Sequence, residues 1–360
     1  MLRFILKRLL YGFLVLFGVI TGVFLLFNVL PADPARMMLG QRADIASIEA
    51  INKDLGRDKP LLTQYFNYLN DLSPFSVHNF VDLKSSYFLE SSKYQPYTRL
   101  FNISHTKTIV LKEPYLRRSY QSKAKVVDIL MEAFPLTALL AVVSMLFASL
   151  LGIFTGIVSA IKKDSWFDRL AIFFSVIGMS VPSFFAAIVI AWFFAYLLGE
   201  YTGLNMIGSL YTIDDFGDGV HLSLQNIILP AFTLGIRPLA VIVELTRSST
   251  LEVLSQDYIR TAKAKGLSFY KVITRHALKN IMNPVVTAIS GWFASLMAGA
   301  VFVEYVFDWK GMGMVMVDGL GKYDFPVVMG SLLFISLILV LINILTDISY
   351  GLLDPRVRMN

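Results

Sequence analysis

Five stretches of this 360-residue chain contain no charged side chain and run from Leu9 to Leu30, Ala133 to Ile161, Leu170 to Gly199, Asn280 to Val303 and Phe325 to Thr346. Each is long enough to cross a bilayer core, which takes about 20 residues of helix. In lipid, backbone N–H and C=O groups must find partners within the chain, which leaves helices and closed barrels. Barrel strands are about 10 residues long and alternate in polarity. These runs are apolar throughout, so helices are expected. A sixth run, Ile227 to Val243, is interrupted only by Arg237. Counted as a span to Leu245, it brings the expectation to an all-α polytopic membrane protein with about six transmembrane helices. Hydrophobic residues at 56% and charged ones at 16% agree with a chain solvated mostly by lipid.

Charge placement orients the spans. Three basic residues precede the first span, three lie in Lys162 to Arg169, seven in Thr246 to Lys279 and two after Thr346. The loop Glu200 to Asn226 has none, and Glu304 to Asp324 has only Lys310 and Lys322. Short basic loops stay in the cytoplasm. Both termini and the loops around residues 165 and 262 are therefore expected inside. The first run, at 22 residues, exceeds a usual signal-peptide core and reads as a retained span.

The expected organisation is an N-terminus with first span over 1–30, an outer segment over 31–132, and a core over 133–360. Within the core the spans are placed at 133–161, 170–199, 227–245, 280–303 and 325–346, with an inner loop at 246–279. In the outer segment Asp44 suits a helix cap ending near Gly56, and Pro60 suits the start of a helix through Leu72 with Tyr65, Phe66 and Leu69 on its apolar face. Thr106 to Lys112 alternates like a strand, and Lys123 to Glu132 reads as an amphipathic helix lying on the membrane. The segment suits a cap for the bundle or a docking surface.

Met179-Ser180-Val181-Pro182-Ser183 puts a proline in mid-membrane, where it removes a backbone hydrogen bond and bends the helix. A bend flanked by serines suits a water-lined path, and packing alone accounts for it equally well. Arg237 and Glu244 are two helical turns apart, with Arg237 the deeper and better placed to face water or an anion. No catalytic group assembles from the sequence. The histidines His78, His105, His221 and His276 lack ligand spacing, cysteine is absent, and Gly321-Lys322 is followed by Tyr323 without the upstream glycine of a phosphate loop. No metal or cofactor is expected in this chain.

The most informative segment is Asp257-Tyr258-Ile259-Arg260-Thr261-Ala262-Lys263-Ala264-Lys265-Gly266-Leu267-Ser268, continuing to Arg275-His276-Ala277-Leu278-Lys279-Asn280 and Asn283-Pro284. Good helix formers precede Gly266, with small Ala262 and Ala264 beside it. By composition this is either a short lever able to press close to another surface or a basic helix resting on anionic lipid. The stretch resembles the cytoplasmic coupling loop of binding-protein-dependent ABC importer permeases, in the dipeptide and oligopeptide branch. The superfamily pattern is Glu-Ala-Ala, a glycine, then Ile-x-Leu-Pro. Here Arg260-Thr261-Ala262 stands for the triplet, Gly266 keeps its place, and His276-x-Leu278-Lys279 replaces the last group, departures associated with the peptide branch.

The resemblance extends to Met1–Leu10, Leu30-Pro31-Ala32-Asp33-Pro34-Ala35, Asp58-Lys59-Pro60-Leu61 and Pro182-Ser183-Phe184. It continues through Leu245-Thr246-Arg247-Ser248-Ser249, Trp309-Lys310-Gly311-Met312-Gly313, Tyr323-Asp324-Phe325-Pro326-Val327-Val328 and Leu353-Asp354-Pro355-Arg356-Val357-Arg358. Leu83 to Arg117 stands apart as an insertion with no family role.

The resemblance implies a type I ABC importer permease fold in a bacterial inner membrane. It implies a second homologous permease, two ATPase subunits that bind ATP and magnesium, and an extracytoplasmic solute-binding protein. Arg260, Thr261, Ala262, Ala264 and Gly266 would contact the ATPase. Pro182, Ser183, Arg237, Gly311 and Gly313 are candidates for the path or its gate. The implied cargo is di- or oligopeptide, with nickel chelates or peptide antibiotics as family alternatives and a membrane scaffold or receptor as the reading from another class.

Overall fold

A computed structural model describes residues 2–28, 59–213 and 219–353, apart from 84, 86 and 95. The helix expected between Asp44 and Gly56 lies outside these residues, as do the Leu30–Ala35 motif and the last seven positions. The chain divides into two compact units. One comprises residues 1–12, 133–314 and 337–360; the other comprises 13–132 and 315–336.

The long helices are α1 (Leu2–Asn28), α3 (Val126–Ile161), α6 (Ile228–Leu254), α8 (Leu278–Gly299) and α11 (Phe325–Leu353). Helix α2 (Leu61–Leu72) precedes α3, and α4 (Trp166–Ser180) and α5 (Ser183–Ile190) follow it. The remaining helices are α7 (Asp257–Ala264), α9 (Val301–Val306) and α10 (Met312–Gly321). Among the described residues, four helices are long and apolar enough to cross a membrane, and α4 with the helix running on to Leu197 makes a fifth if bent by 113° as one span. Helix α8 has 22 residues, long enough to cross, with polar Lys279, Asn280 and Asn283 in its opening turns followed by Pro284. The chain is an all-α polytopic fold, as its apolar runs imply.

In the first unit three glycines bring α3 and α6 close together. A Cβ on Gly152 would lie 2.7 Å from Ile242 Cγ2, and one on Gly156 would lie 2.7 Å from the Val243 carbonyl oxygen. Gly235 meets α3 in the same way, 3.0 Å from the Ser144 carbonyl. Small residues one turn apart let two backbones approach where lipid offers no hydrophobic drive of its own. Leu140, Ala141, Met145, Ala148 and Ile242 fill the seam. Elsewhere in this unit Arg8 pairs with Asp347 at 3.1 Å, and Gly12 fits beneath Val340 and Ile344. The start of α1 thus packs against the end of α11.

In the second unit α2 is the helix expected after Pro60, but its inward face is Tyr65, Tyr68 and Leu72, packed with Val23, Phe24, Met329 and Leu333. Phe66 is exposed, because with Leu69 it borders an open groove beside the first strand. The segment 83–117, set apart as an insertion with a strand expected at Thr106 to Lys112, supplies two of the three strands of a small antiparallel sheet, the expected strand among them. Strands β1 (Phe75–Asn79), β2 (Tyr97–Asn102) and β3 (Lys107–Lys112) lie in the order β1-β3-β2. The interfacial helix expected at Lys123 to Glu132 is instead the opening of α3, which begins at Val126 and runs unbroken. No glycine or proline interrupts 126–134, and Pro135 sits within the helix.

Polar side chains are sealed beneath this sheet. Asp71 accepts the Tyr94 hydroxyl at 2.6 Å and Lys93 Nζ at 3.3 Å, and its backbone oxygen accepts Lys112 Nζ at 2.5 Å. His78 is fully buried, with Nε2 3.0 Å from Ser76 Oγ and Nδ1 3.3 Å from the Tyr87 carbonyl. Burial first, and then the Lys112 charge, push the His78 imidazole down to about 4. Burial likewise pushes Lys112 down to about 8, with Asp71 opposing.

His78 is therefore neutral in the fold at pH values where the unfolded chain already takes up a proton. Its contribution to stability is complete above pH 6.5 and is lost as pH falls toward about 4. Amide-exchange protection of β1 and β3 in the full-length protein is expected to weaken between pH 6.5 and 5 by up to about 1.4 kcal/mol per pH unit. His78→Gln should flatten that dependence.

Candidate functional site: the α7 lever and the α4–α5 break

Helix α7 is short, and its stability comes from seating. Ile259 and Ala262, three residues apart and so on one face, are buried against Val253, Val272, Ile273, Ala277 and Ile281. Asp257 in the first turn and Lys263 in the last match the helix dipole. Gly266 ends the helix at φ +77°, a left-handed conformation that favours glycine. Its N–H donates to the Lys263 carbonyl at 3.0 Å, and Leu267 N–H reaches the Ala262 carbonyl at 3.4 Å. This closes the last carbonyls as a left-handed cap does. Leu267 then folds back onto the same apolar cluster. Ser268 receives Lys271 N–H and starts the next turn, which leads through a π-helical stretch at Val272–Ala277 into α8.

Of the five residues the sequence singles out here, Arg260, Thr261, Ala264 and Gly266 are exposed. Ala262 faces inward and is 5% exposed, so its small side chain seats the lever rather than touching another protein. A Cβ at Gly266 would meet nothing within 4 Å. Open space therefore surrounds the turn. Phe269 and Tyr270 are 46% and 76% exposed in this segment, and Lys263, Lys265 and Arg275 are exposed as well. Neither aromatic is among the five. Their signal was two adjacent aromatic residues in an otherwise polar, basic loop. The Arg260–Asp257 pair at 3.3 Å is fully in solvent and contributes little.

The second element is a break rather than a gentle bend. Helix α4 stops at Ser180, Pro182 adopts φ −60° and ψ 137° as the residue before α5, and the two axes diverge by 113°. Val181 N–H still reaches the Ile177 carbonyl at 3.1 Å, and Ala186 N–H reaches the Pro182 carbonyl at 3.0 Å. Arg237 on α6 brings Nη2 to 3.5 Å from the Met179 carbonyl. A cation there faces the open carbonyl end of α4, the partially negative pole of that helix. Gly178 admits Ile236 alongside at 3.0 Å from its would-be Cβ. Three residues singled out separately, Pro182, Ser183 and Arg237, thus fall at one break.

Gly311 and Gly313 do not join them. Both are buried around the carboxylate of Glu304, which is fully enclosed. Thr137 donates to Glu304 Oε1 at 2.7 Å, Gly313 N–H donates to Oε2 at 2.7 Å, and Met312 N–H donates to Thr137 Oγ1 at 2.8 Å. A Cβ on Gly311 would lie 2.5 Å from both Thr137 Oγ1 and Glu304 Oε2. Trp309, wholly buried, donates Nε1–H to the Leu136 carbonyl at 3.1 Å. These glycines are therefore anchor points that let a carboxylate cap the start of α10, and the gating expected of them has no exposed surface here. Glu304 carried no signal of its own in the sequence beyond closing an apolar run.

Residues 152–359, which hold α4 through α11, match the family described as binding-protein-dependent transport system inner membrane component. The chain belongs to that family. Residues 1–85 match the companion N-terminal family of the same transport systems. The dipeptide transport system permease protein DppB of Alkalihalophilus pseudofirmus is 32% identical over 99% of this chain and 100% of its own length. The di/tripeptide transport system permease protein DppB of Pseudomonas aeruginosa and the glutathione transport system permease protein GsiC of Escherichia coli are each 33% identical over 99% of both chains. This member of the family is accordingly a multi-pass transport subunit with permease relatives rather than enzymes.

Glu304→Ala should leave the Gly313 and Thr137 donors buried without an acceptor, at about 1–3 kcal/mol each. A lower thermal unfolding midpoint in detergent is expected, with Glu304→Gln less affected because it keeps one acceptor oxygen.

Proposed function

We propose that this chain is the membrane-spanning subunit of an ATP-driven ABC importer for di- or oligopeptides. It forms half of a translocation path with a second homologous permease and couples to cytoplasmic ATPases through α7. The observation that carries this reading is the form of the lever. One face, Ile259 and Ala262, is locked into the protein, while Arg260, Thr261, Ala264 and the open turn at Gly266 are presented outward. A resident lipid-surface helix would present its apolar face to the bilayer. Here that face is already used inside.

On this reading the N-terminus, the α3–α4 connection, the α7 segment and the C-terminus are cytoplasmic, in keeping with fifteen basic residues in those connections. The protein resides in the bacterial inner membrane. Two ATPase subunits bind ATP and magnesium, and a solute-binding protein delivers cargo from the other side. Displacement of α7 is passed to α6 and α8, which pack against one another. The α4–α5 break, with Pro182, Ser183 and Arg237, lies along the path and absorbs the change of angle as access alternates. The peptide cargo rests on the relatives' cargo and on the Arg260-Thr261-Ala262 form of the coupling triplet.

Gly266→Trp puts bulk into the open turn and a side chain at positive φ. It should abolish ATP-driven peptide uptake by the full assembly while membrane insertion continues, and normal uptake would refute the coupling role. The purified chain without partners should hydrolyse no ATP, and measurable hydrolysis would refute the division of labour.

A further inference from the structure

One carboxylate holds together the end of the bundle from which α7 hangs. Asp168, in the first turn of α4, is 1% exposed. Its Oδ1 accepts Arg247 Nε at 2.6 Å and also takes the Ser159 hydroxyl in a very short contact. Its Oδ2 accepts Arg247 Nη2 at 2.8 Å and Asp164 N–H at 2.9 Å. Ser159 closes α3, Asp164 lies in the connection between α3 and α4, and Arg247 lies two turns before the end of α6. Three helices therefore meet on a single side chain.

Its chemistry sets this contact apart from the exposed pairs Lys310–Asp308 and Arg260–Asp257. Planar guanidinium and carboxylate meet edge to edge, which fixes direction as well as distance. Because the carboxylate is buried, parting the two leaves an uncompensated charge, and the contact resists opening. The seam alongside, where Gly156 receives Thr246, is a close packing of small groups, and packing of that kind is less directional than the ion pair. The cluster beneath α7 includes Ile157 of α3 as well as Val253 and Leu254 of α6. A push on α7 therefore reaches both helices, just beyond the ion pair.

We propose that the Asp168–Arg247 pair is a positioning clamp that passes movement of α7 to the α3–α4 hairpin, so that α3, α4 and α6 turn as one body in each transport cycle. The proposal rests on the reading that an ATPase drives α7. Neither residue touches cargo or nucleotide.

The natural chain has no cysteine, so Trp166→Cys and Ser248→Cys place a pair of spin labels at exposed positions flanking the clamp. They are read in the complete assembly in lipid, with and without ATP. With Asp168 and Arg247 intact, the label distance is expected to stay the same in both states. In Asp168→Asn it is expected to change on adding ATP, and peptide moved per ATP hydrolysed should fall at least about fivefold while hydrolysis persists. Arg247→Lys, which keeps the charge and loses the fork, should fall in between.

A distance that shifts with ATP while the pair is intact would overturn the clamp even if no variant folds. Native uptake per ATP in Asp168→Asn would overturn it equally. Failure of the importer reading shows separately, as an unlabelled native assembly with no ATP-driven uptake.

Discussion

A polar backbone surrounded by lipid has no water to turn to, and every interruption of a helix must be answered from within the chain. The α3–α6 seam supplies the rigid surface on which those answers are built. Gly152 and Gly156 bring α6 within backbone contact of α3, and Gly235 returns the approach from the other side. With that surface in place, the chain tolerates a 113° break between α4 and α5, whose open carbonyl end is faced by Arg237. It also tolerates a buried carboxylate at Glu304, because Thr137 on α3 is there to donate to it.

Close packing beneath it gives the short α7 its place. Eight residues of helix make little stability alone. Seated through Ile259 and Ala262 and capped by Gly266 at positive φ, the helix is held like a handle on a stiff body.

Much of this was legible in the residues. Charge-free runs gave the long helices, Pro182 gave the break, and Gly266 gave the end of α7, because each depends on local chemistry. What depends on distant partners was not. Ala262 and Ala264 look alike in sequence, yet only the register of α7 against Val253 and Ile281 turns the first inward. Gly311 and Gly313 look like flexible loop glycines until Glu304 is seen to need the space. Asp168 carries no local signal, since its partner Arg247 lies 79 positions away. Lys123 to Glu132 has the pattern of an interfacial helix, and only the unbroken backbone to Ile161 makes it part of α3. Within 83–117 the alternation of Thr106 to Lys112 shows β3 in the sequence, whereas its pairing with Phe75–Asn79, outside the insertion, does not show there.

The central claim is that the exposed face of α7 stands in the cytoplasm and receives an ATPase. Ala264→Cys provides a unique thiol on that face in a chain without cysteine. A membrane-impermeant maleimide should label it in inverted vesicles, fail to label it in right-side-out vesicles, and be blocked when the ATPase partners are bound. Labelling from the outer side, or labelling unaffected by the ATPases, would contradict the account.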